Sequence, residues 1–322
     1  MEDQQEVNNV AAVAALESWT PEQQMQELKR RMGIAMAELV NLEKPSFKPK
    51  PDDVIVVLPP KNGITWMTHI CHQIRMKGQE PDFEDQLDVI SMLEMSEQIL
   101  GGAADAKPQP ATPRIFCSHL PYPLIPEGGK RIFSFRNQED AVVSAYHFFD
   151  SGLFLKGRVA LPIFAGVHLQ QVEKHMQELL TWWEHRHDDN VLLLFFDELK
   201  EDHPGCVHRI AKFMNVELAE GDVARVVHTT SHAEMSRLAS SFNSNKITAK
   251  LAEKIGEEPP PDGELVGRVR KDGGKSGEGK QKLPVEVQQQ IDQMWQEIVT
   301  SKLGFKDLTE MREAWKKEQL DS

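Results

Sequence analysis

Short runs of β-branched and aromatic residues alternate along this chain with stretches whose apolar positions recur every three or four residues. The run at 53–58 (DVIVVL) is apolar on both faces, as a strand buried inside a parallel sheet requires. Runs at 114–118 (RIFCS), 130–135 (KRIFSF) and 191–196 (VLLLFF) predict three more strands. Helical spacing predicts helices from about 64 to 77 and over 87–100, 138–149, 169–186, 207–214, 222–228 and 285–299. Alternating strands and helices build βαβ units. The expected fold class is therefore α/β: a single domain with a central, mostly parallel β-sheet flanked by helices. Ligands of such sheets bind at the carboxyl ends of the strands.

An earlier helix carries its own start signal, with Thr20 as N-cap, Pro21 in the first position and Gln23 where a capping box needs it. Met25, Leu28, Met32, Met36 and Leu39 follow at helical spacing. Residues 1–19 read as disordered or weakly helical, 47–51 as an extended linker, and 101–113 and 256–284 as loops. The expected boundaries are an N-terminal polar segment and amphipathic helix over 1–45, the α/β domain over 46–308, and a charged C-terminal helix or tail over 309–322. No internal repeat is visible.

Composition narrows the field further. The chain has 322 residues, 40% hydrophobic, which suffices for a large core. Lys and Arg number 37 against 50 Asp and Glu, a net charge of −13. That balance argues against nucleic-acid or anionic-membrane partners but permits a local basic pocket. Three cysteines, Cys71, Cys117 and Cys206, have no metal or disulfide-framework spacing. No run approaches 18 apolar residues, and the first residues are acidic where a signal peptide is basic. A cytoplasmic location is expected.

Two segments carry candidate chemistry. Lys61, Gly63 and Thr65 follow the first strand and open a helix, offering backbone N–H groups, a hydroxyl and a lysine to an anion. The plain alternative is a βα turn with a surface lysine. Arg136 stands at the end of the 130–135 strand with Ser144 two turns into the next helix, so both can reach one phosphate. The plain alternative there is an ion pair between Arg136 and Asp140.

Taken together, the segments resemble the cytosolic sulfotransferases, which use 3′-phosphoadenosine 5′-phosphosulfate (PAPS). Lys61–Trp66 is similar to that family's PKSGTTW loop, and Arg136 to Phe148 (RNQEDAVVSAYHF) to its RNPKDxxVSxYHF segment. Cys117 to Pro121 resembles K-T-H-L-P, 192–202 resembles LYLFYEDMKED, and Thr230 to Met235 resembles TSFxxM. Arg270 to Lys280 is similar to RKGxxGDWK. All six occur in family order between residues 50 and 300.

The resemblance implies an α/β sulfotransferase fold, PAPS as donor, 3′-phosphoadenosine 5′-phosphate (PAP) as product, no metal, and a small hydroxyl- or amine-bearing acceptor. It assigns the 5′-phosphosulfate to Lys61, Asn62, Gly63, Ile64, Thr65 and Trp66, with Trp66 also stacking on adenine. Arg136 and Ser144 take the 3′-phosphate, helped by Arg270, Lys271 and Gly273, while Phe196, Thr230, Ser231 and His232 complete the nucleotide site. His119 falls on the catalytic base, with Lys61 and Ser144 as its catalytic companions. Such chemistry suits these residue types. Sulfuryl transfer demands in-line positioning and charge stabilisation, and a histidine can take the acceptor's proton near neutral pH.

Several positions depart from the family pattern. Cys117 replaces its lysine, Phe196 its tyrosine and His232 its phenylalanine. The tail motif has two extra residues, with Gly279 in place of tryptophan. The family's dimer signature, KxxxTVxxxE, reads KQKLPV from Lys280, and Pro284 and Gln289 break it, so a homodimer is neither predicted nor excluded.

Other features fit plainer roles. His69, Cys71 and His72 face different ways on one helix, His185 and His187 end another, and Trp182 and Trp183 read as core and rim. The acceptor site is expected from 82–100, the loop after His119 and 150–168. Met92 and Met95 fit either that site or packing, and Phe83, Phe148, Phe149, Phe154 and Phe164 suggest an apolar wall. Two alternatives to a sulfotransferase stand. One is a P-loop-like nucleotide kinase, since 274–280 matches GxxxxGK without its final Ser/Thr. The other is a nucleotide-binding protein without turnover.

Overall fold

Val54 and Val56 turn to one side of the sheet and Ile55 and Val57 to the other, all four fully buried, so this strand has an apolar layer on each face. The computed structural model describes residues 19–40, 43, 45, 47–81, 83–95, 102–106, 108–242, 245–258, 269–270 and 273–320. Its sheet has five strands: β1 (Val54–Val57), β2 (Ser91–Met92), β3 (Ile115–Ser118), β4 (Lys130–Phe135) and β5 (Val191–Phe195). Their order is β2-β3-β1-β4-β5, and every pairing is parallel. Central β1 has β3 on one side and β4 on the other. The chain therefore leaves β1 in opposite directions, which opens a crevice at the strands' carboxyl ends.

Helices cover both faces. α1 is Pro21–Leu39, capped by the predicted Thr20–Gln23 box. α2 (Ile64–Arg75) packs Met67, Ile70 and Ile74 on the Val54/Val56 face, joined by α6 (His203–Met214) and α7 (Glu220–Thr229). α3 (Gln138–Gly152) and α4 (Leu161–Glu184) cover the Ile55/Val57 face with α11 (Val285–Trp295) and α12 (Leu308–Leu320). A third cluster joins Leu28 of α1, the turn Leu153–Leu155, Phe164 of α4, and Ile247 and Leu251 of α9 (Asn245–Ile255). Arg31 ties this region together. It is 4% exposed, and its Nη1 donates to the carbonyls of Leu153 and Phe154.

The four predicted strands form within a residue or two of their expected ends. The helix expected over 87–100 does not form in its described part. Residues 86–88 and 93–95 are single 3₁₀ turns, and Ser91 and Met92 between them pair with Phe116 and Cys117 as β2. Edge pairing there satisfies backbone groups that local helix propensity would have satisfied within the segment. Residues 96–101 of that stretch, and the 1–18 segment, lie outside the described residues. α5 (Phe196–Glu201), α8 (His232–Arg237) and α9 have no counterpart among the predicted elements.

Candidate active site

The crevice is built from the ends of β1, β3, β4 and β5. After β1 the chain turns through Lys61, at φ +66°, and Gly63, at φ +94°, and enters α2 with Gly63 as its N-cap. No side chain caps this helix, and the N–H groups of Ile64, Thr65 and Trp66 have no intrahelical acceptor. Gly63 meets a second constraint. A Cβ there would lie 2.8 Å from two ring carbons of Phe196, so the loop's close approach to α5 needs glycine. Lys61 Nζ lies 4.0 Å from the Phe148 ring centre. Ile64 is buried in the α2 packing layer, so it offers this site only its main chain.

Asn62 sits inside the protein rather than at the loop's surface. At 1% exposure its Oδ1 accepts from the Arg136 N–H at 2.7 Å, and its Nδ2 donates to the Pro60 carbonyl at 3.0 Å. The side chain therefore joins the loop after β1 to the end of β4. Gln138 extends the joint, donating from Nε2 to the Arg136 carbonyl at 2.8 Å. Its Oε1 accepts from His175 Nδ1 at 2.8 Å.

Arg136 is a buried cation at the end of β4. It is 5% exposed, its guanidinium lies 4.7 Å from the Phe196 ring centre, and burial pulls its pKa down. Nε and Nη2 are buried with no hydrogen-bond partner among the described residues. Desolvating an unpaired guanidinium costs several kcal/mol, so such a group fits a site completed by an anion. Ser144, 8% exposed, stands two turns into α3. The alternative Arg136–Asp140 ion pair does not form. Asp140 instead accepts from Gly277 N and Gly279 N, at 2.9 and 2.8 Å, and pins the tail segment over α3. A Cβ at Gly279 would lie 2.3 Å from the Glu139 carbonyl carbon, which explains why no tryptophan fits there.

The tail closes over Arg136 in other ways too. Lys200 Nζ donates to the Gly274 carbonyl at 2.6 Å, and Ser276 Oγ donates to Asp197 at 2.8 Å. Arg270, expected on the 3′-phosphate, makes a two-point ion pair with Glu278 at 2.6 and 2.8 Å, holding that carboxyl at about 2. Lys271 lies outside the described residues. Gly273, at φ +75°, approaches the His232 ring, whose Nε2 bonds the Arg270 carbonyl at 2.7 Å. Among the described residues no strand leads into the kinase-like stretch 274–280, which opens only a five-residue helix, α10 (Glu278–Lys282).

Trp66 and the Thr230 region line another edge. Trp66 Nε1 donates to the Thr230 carbonyl at 2.8 Å, and its ring meets Phe196 and His203 edge-on. The hydroxyls of Thr230 and Ser231 have structural partners. Thr230 donates to the Val226 carbonyl, and Ser231 caps α8 by accepting from Glu234 N.

His119 follows β3 directly. Its Nδ1 lies 2.6 Å from the Leu58 carbonyl, which can only accept, so Nδ1 carries the proton and Nε2 is the basic nitrogen. Glu94, 3% exposed, holds the turn: Oε1 accepts from His119 N at 2.7 Å and Oε2 from Ser118 Oγ at 2.9 Å. Cys117 is buried among Val56 and Met92, so no charge stands where the family has lysine. Sequence reasoning did not single out Glu94, Gln138, His175 or Lys200. Asp140 it weighed only as an ion-pair partner of Arg136.

A sulfotransferase domain model matches residues 51–307. The chain is 28% identical over 273 residues to an amine sulfotransferase of Oryctolagus cuniculus, covering 81% of this chain and 86% of that protein. It is 32% identical over 207 residues to sulfotransferase 1E1 of Homo sapiens, covering 59% and 68%. Among solved structures it resembles a retinol dehydratase in complex with retinol and PAP, at 19% identity and TM-score 0.63, over 82% of this chain and 85% of that one. A mouse sulfotransferase, SULT7A1, complexed with PAP matches at 20% identity and TM-score 0.57, over 90% and 96%. The expected fold is thus present, with a sheet parallel throughout, and the chain belongs to the sulfotransferase family.

Proposed function

We propose that this enzyme transfers a sulfuryl group from PAPS to a hydroxyl or amine of a small-molecule acceptor. The observation that carries the reading is Arg136: a buried guanidinium with two nitrogens, Nε and Nη2, that have no partner among the described residues, beside an uncapped helix N-terminus and Lys61. That arrangement suits a ligand with two separated anionic groups, as 3′- and 5′-phosphates are. PAPS supplies an activated sulfuryl group whose S–O bond to the nucleotide phosphate breaks as a bond from sulfur to the acceptor oxygen or nitrogen forms.

The chain's own residues do the rest. Arg136 and the Ser144 hydroxyl hold the 3′-phosphate, and the N–H groups of Ile64, Thr65 and Trp66 hold the 5′ end. Asn62, Thr230 and Ser231 act by shaping this site, with their side chains bonded within the protein. Trp66 and Phe196 on one side and His232 on the other border the adenine. His119 Nε2 takes the acceptor's proton, and Lys61 Nζ stabilises charge on the departing phosphate oxygen. The products are PAP, the sulfated acceptor and a proton on His119. The three cysteines, all buried and unbridged, suit a reducing cytoplasm. Among the described residues no helix is long and apolar enough to cross a membrane.

The direct test is nucleotide discrimination. Calorimetry should show PAP binding far more tightly than adenosine 5′-monophosphate. Arg136→Ala should cut PAP affinity about ten- to a hundredfold, since a charged hydrogen bond is worth roughly 1.5–3 kcal/mol, and scarcely change the monophosphate. No preference for PAP in the wild type would overturn the reading. Turnover with labelled PAPS and an acceptor panel separates an enzyme from a mere nucleotide binder.

A further inference from the structure

The turn that carries His119 is held by a carboxylate from another strand's end. Glu94 stands in the 3₁₀ turn after β2, at the edge of the sheet, and is buried. Its Oε1 accepts from the His119 N–H at 2.7 Å and its Oε2 from the Ser118 hydroxyl at 2.9 Å. Ser118 Oγ in turn accepts from Leu120 N at 3.0 Å, so Ser118, His119 and Leu120 are all fixed through one side chain. Each carboxylate oxygen accepts, so neither carries a proton and Glu94 is an anion. Both of its donors are neutral, and among the described residues no lysine or arginine forms an ion pair with it.

A buried anion with only neutral partners is costly to keep, and the cost is offset where a positive charge develops beside it. His119 is where such a charge develops. Its Nδ1–H is committed to the Leu58 carbonyl, so a proton taken from the acceptor goes to Nε2 and the ring becomes an imidazolium. Leu58 N also donates to the Ser118 carbonyl at 3.1 Å, which locks the ends of β1 and β3 together around that ring. The Leu58 carbonyl is a neutral partner for the imidazolium; Glu94 is a charged one. Its carboxylate touches the N–H to which the ring is joined through Cα and Cβ, which brings carboxylate and ring within about 7 Å of each other. At that separation, and at the effective dielectric of a protein, two unit charges change an equilibrium by about tenfold or more.

We infer that Glu94 is a positioning residue of the reaction. Anchored on the main chain of the turn, its carboxylate orients the His119 imidazole and stabilises the positive charge that the ring acquires on taking the acceptor's proton. The acceptor oxygen bonds to sulfur, the S–O bond to the nucleotide phosphate breaks, and the proton ends on His119 Nε2. No proton moves to Glu94, because the N–H that it accepts from is an amide. The inference rests on the sulfotransferase reading and adds to it the group that supports the base.

The test uses the full chain and Glu94→Gln, which keeps the side chain's length and an accepting oxygen but removes the charge. Nuclear magnetic resonance of nitrogen-labelled histidine needs no acceptor, and loss of one ring signal in His119→Ala assigns it. The His119 ring should take up its proton at lower pH in Glu94→Gln than in the wild type. The other titratable groups on elements that meet at this turn are Lys61 after β1, Cys117 of β3, and His175 and Glu178 of α4. They are the same in both proteins, so the difference reads Glu94.

The second readout is single-turnover sulfation of para-substituted phenols with labelled PAPS. Glu94→Gln should slow 4-methoxyphenol about tenfold and 4-nitrophenol far less, since an acidic phenol needs little from a base, with PAP affinity within about twofold. A loss of packing alone would fall equally on every phenol. Added to His119→Ala, Glu94→Gln should slow turnover no further, because it acts through that ring. Glu94→Asp, which draws the charge back by one methylene, should fall between wild type and Glu94→Gln, and it carries the test if the glutamine variant does not fold. Unchanged proton uptake in both variants, equal losses on all phenols, or losses additive with His119→Ala would each overturn this inference while PAP still binds. Failure of the wild type to bind PAP would overturn the sulfotransferase reading and this inference with it.

Discussion

At the scale of single residues, the site depends on which atom of each side chain is committed to the protein. His119 shows this best. With Nδ1 bound to the Leu58 carbonyl and its main chain held by Glu94, the ring has one tautomer and one direction. His119→Ala should therefore lower turnover by roughly 10²–10⁴ while leaving PAP affinity within a few-fold. Unchanged turnover on a real acceptor would remove it from the mechanism. His119, Lys61 and Arg136 were legible because short local motifs carry them. Glu94, 25 positions from His119, and Lys200, 74 from Gly274, were not. Their partners are set by strand order and by how the tail folds back, which no local window contains. Arg270 is the instructive middle case. Its motif was legible, but its ion pair with Glu278 depends on the turn between them.

At the scale of elements, the loop after β1 is held open by backbone geometry and closed by packing. Gly63 faces both demands, a left-handed φ and the Phe196 ring. Gly63→Ala should cost more than the roughly 1–2 kcal/mol of the conformation alone and weaken PAP binding at least tenfold. Gly304 offers the control. It has φ +83° with open space where a Cβ would go, so Gly304→Ala should lower the melting temperature and leave PAP binding intact. Equal PAP affinity in wild type and Gly63→Ala would show that the ring contact does not shape the loop. Elements with strong periodicity were readable in advance. Strand β2 and the short helices α5 and α8 were not, because two to six residues carry too little pattern and take their form from neighbours.

At the scale of the whole molecule, four buried histidines make the fold sensitive to acid. Burial holds His69 and His168 at about 4, and His72 and His175 at about 3. The unfolded chain takes up protons on these rings near 6.5 and the folded chain does not. Stability is therefore full above that value and falls as pH drops toward the folded values. Each ring contributes a slope of about 1.4 kcal/mol per pH unit, so four together rival a typical domain's total stability within two units. Denaturant midpoints should be level above about pH 7 and fall steeply between pH 6 and 5. A flat profile over that interval would refute the account. Glu27 and Glu278, held at about 2 by their arginines, act in a lower window. Their contribution is full above about 4.5 and is lost as pH falls toward 2.

The sequence by itself determined the α/β class, the four main strands, and the motifs that put Lys61, His119 and Arg136 at strand ends. It could do so because period-two and period-3.6 patterns and short ligand loops are local properties of the chain. Only the tertiary structure decided that Asn62 faces inward, that Arg270 pairs with Glu278, and that Arg136 and His175 keep buried atoms with no partner among the described residues. Those outcomes depend on residues from distant segments competing for the same few hydrogen-bond partners inside the crevice, and that competition is settled only when strand order and tail path bring them together.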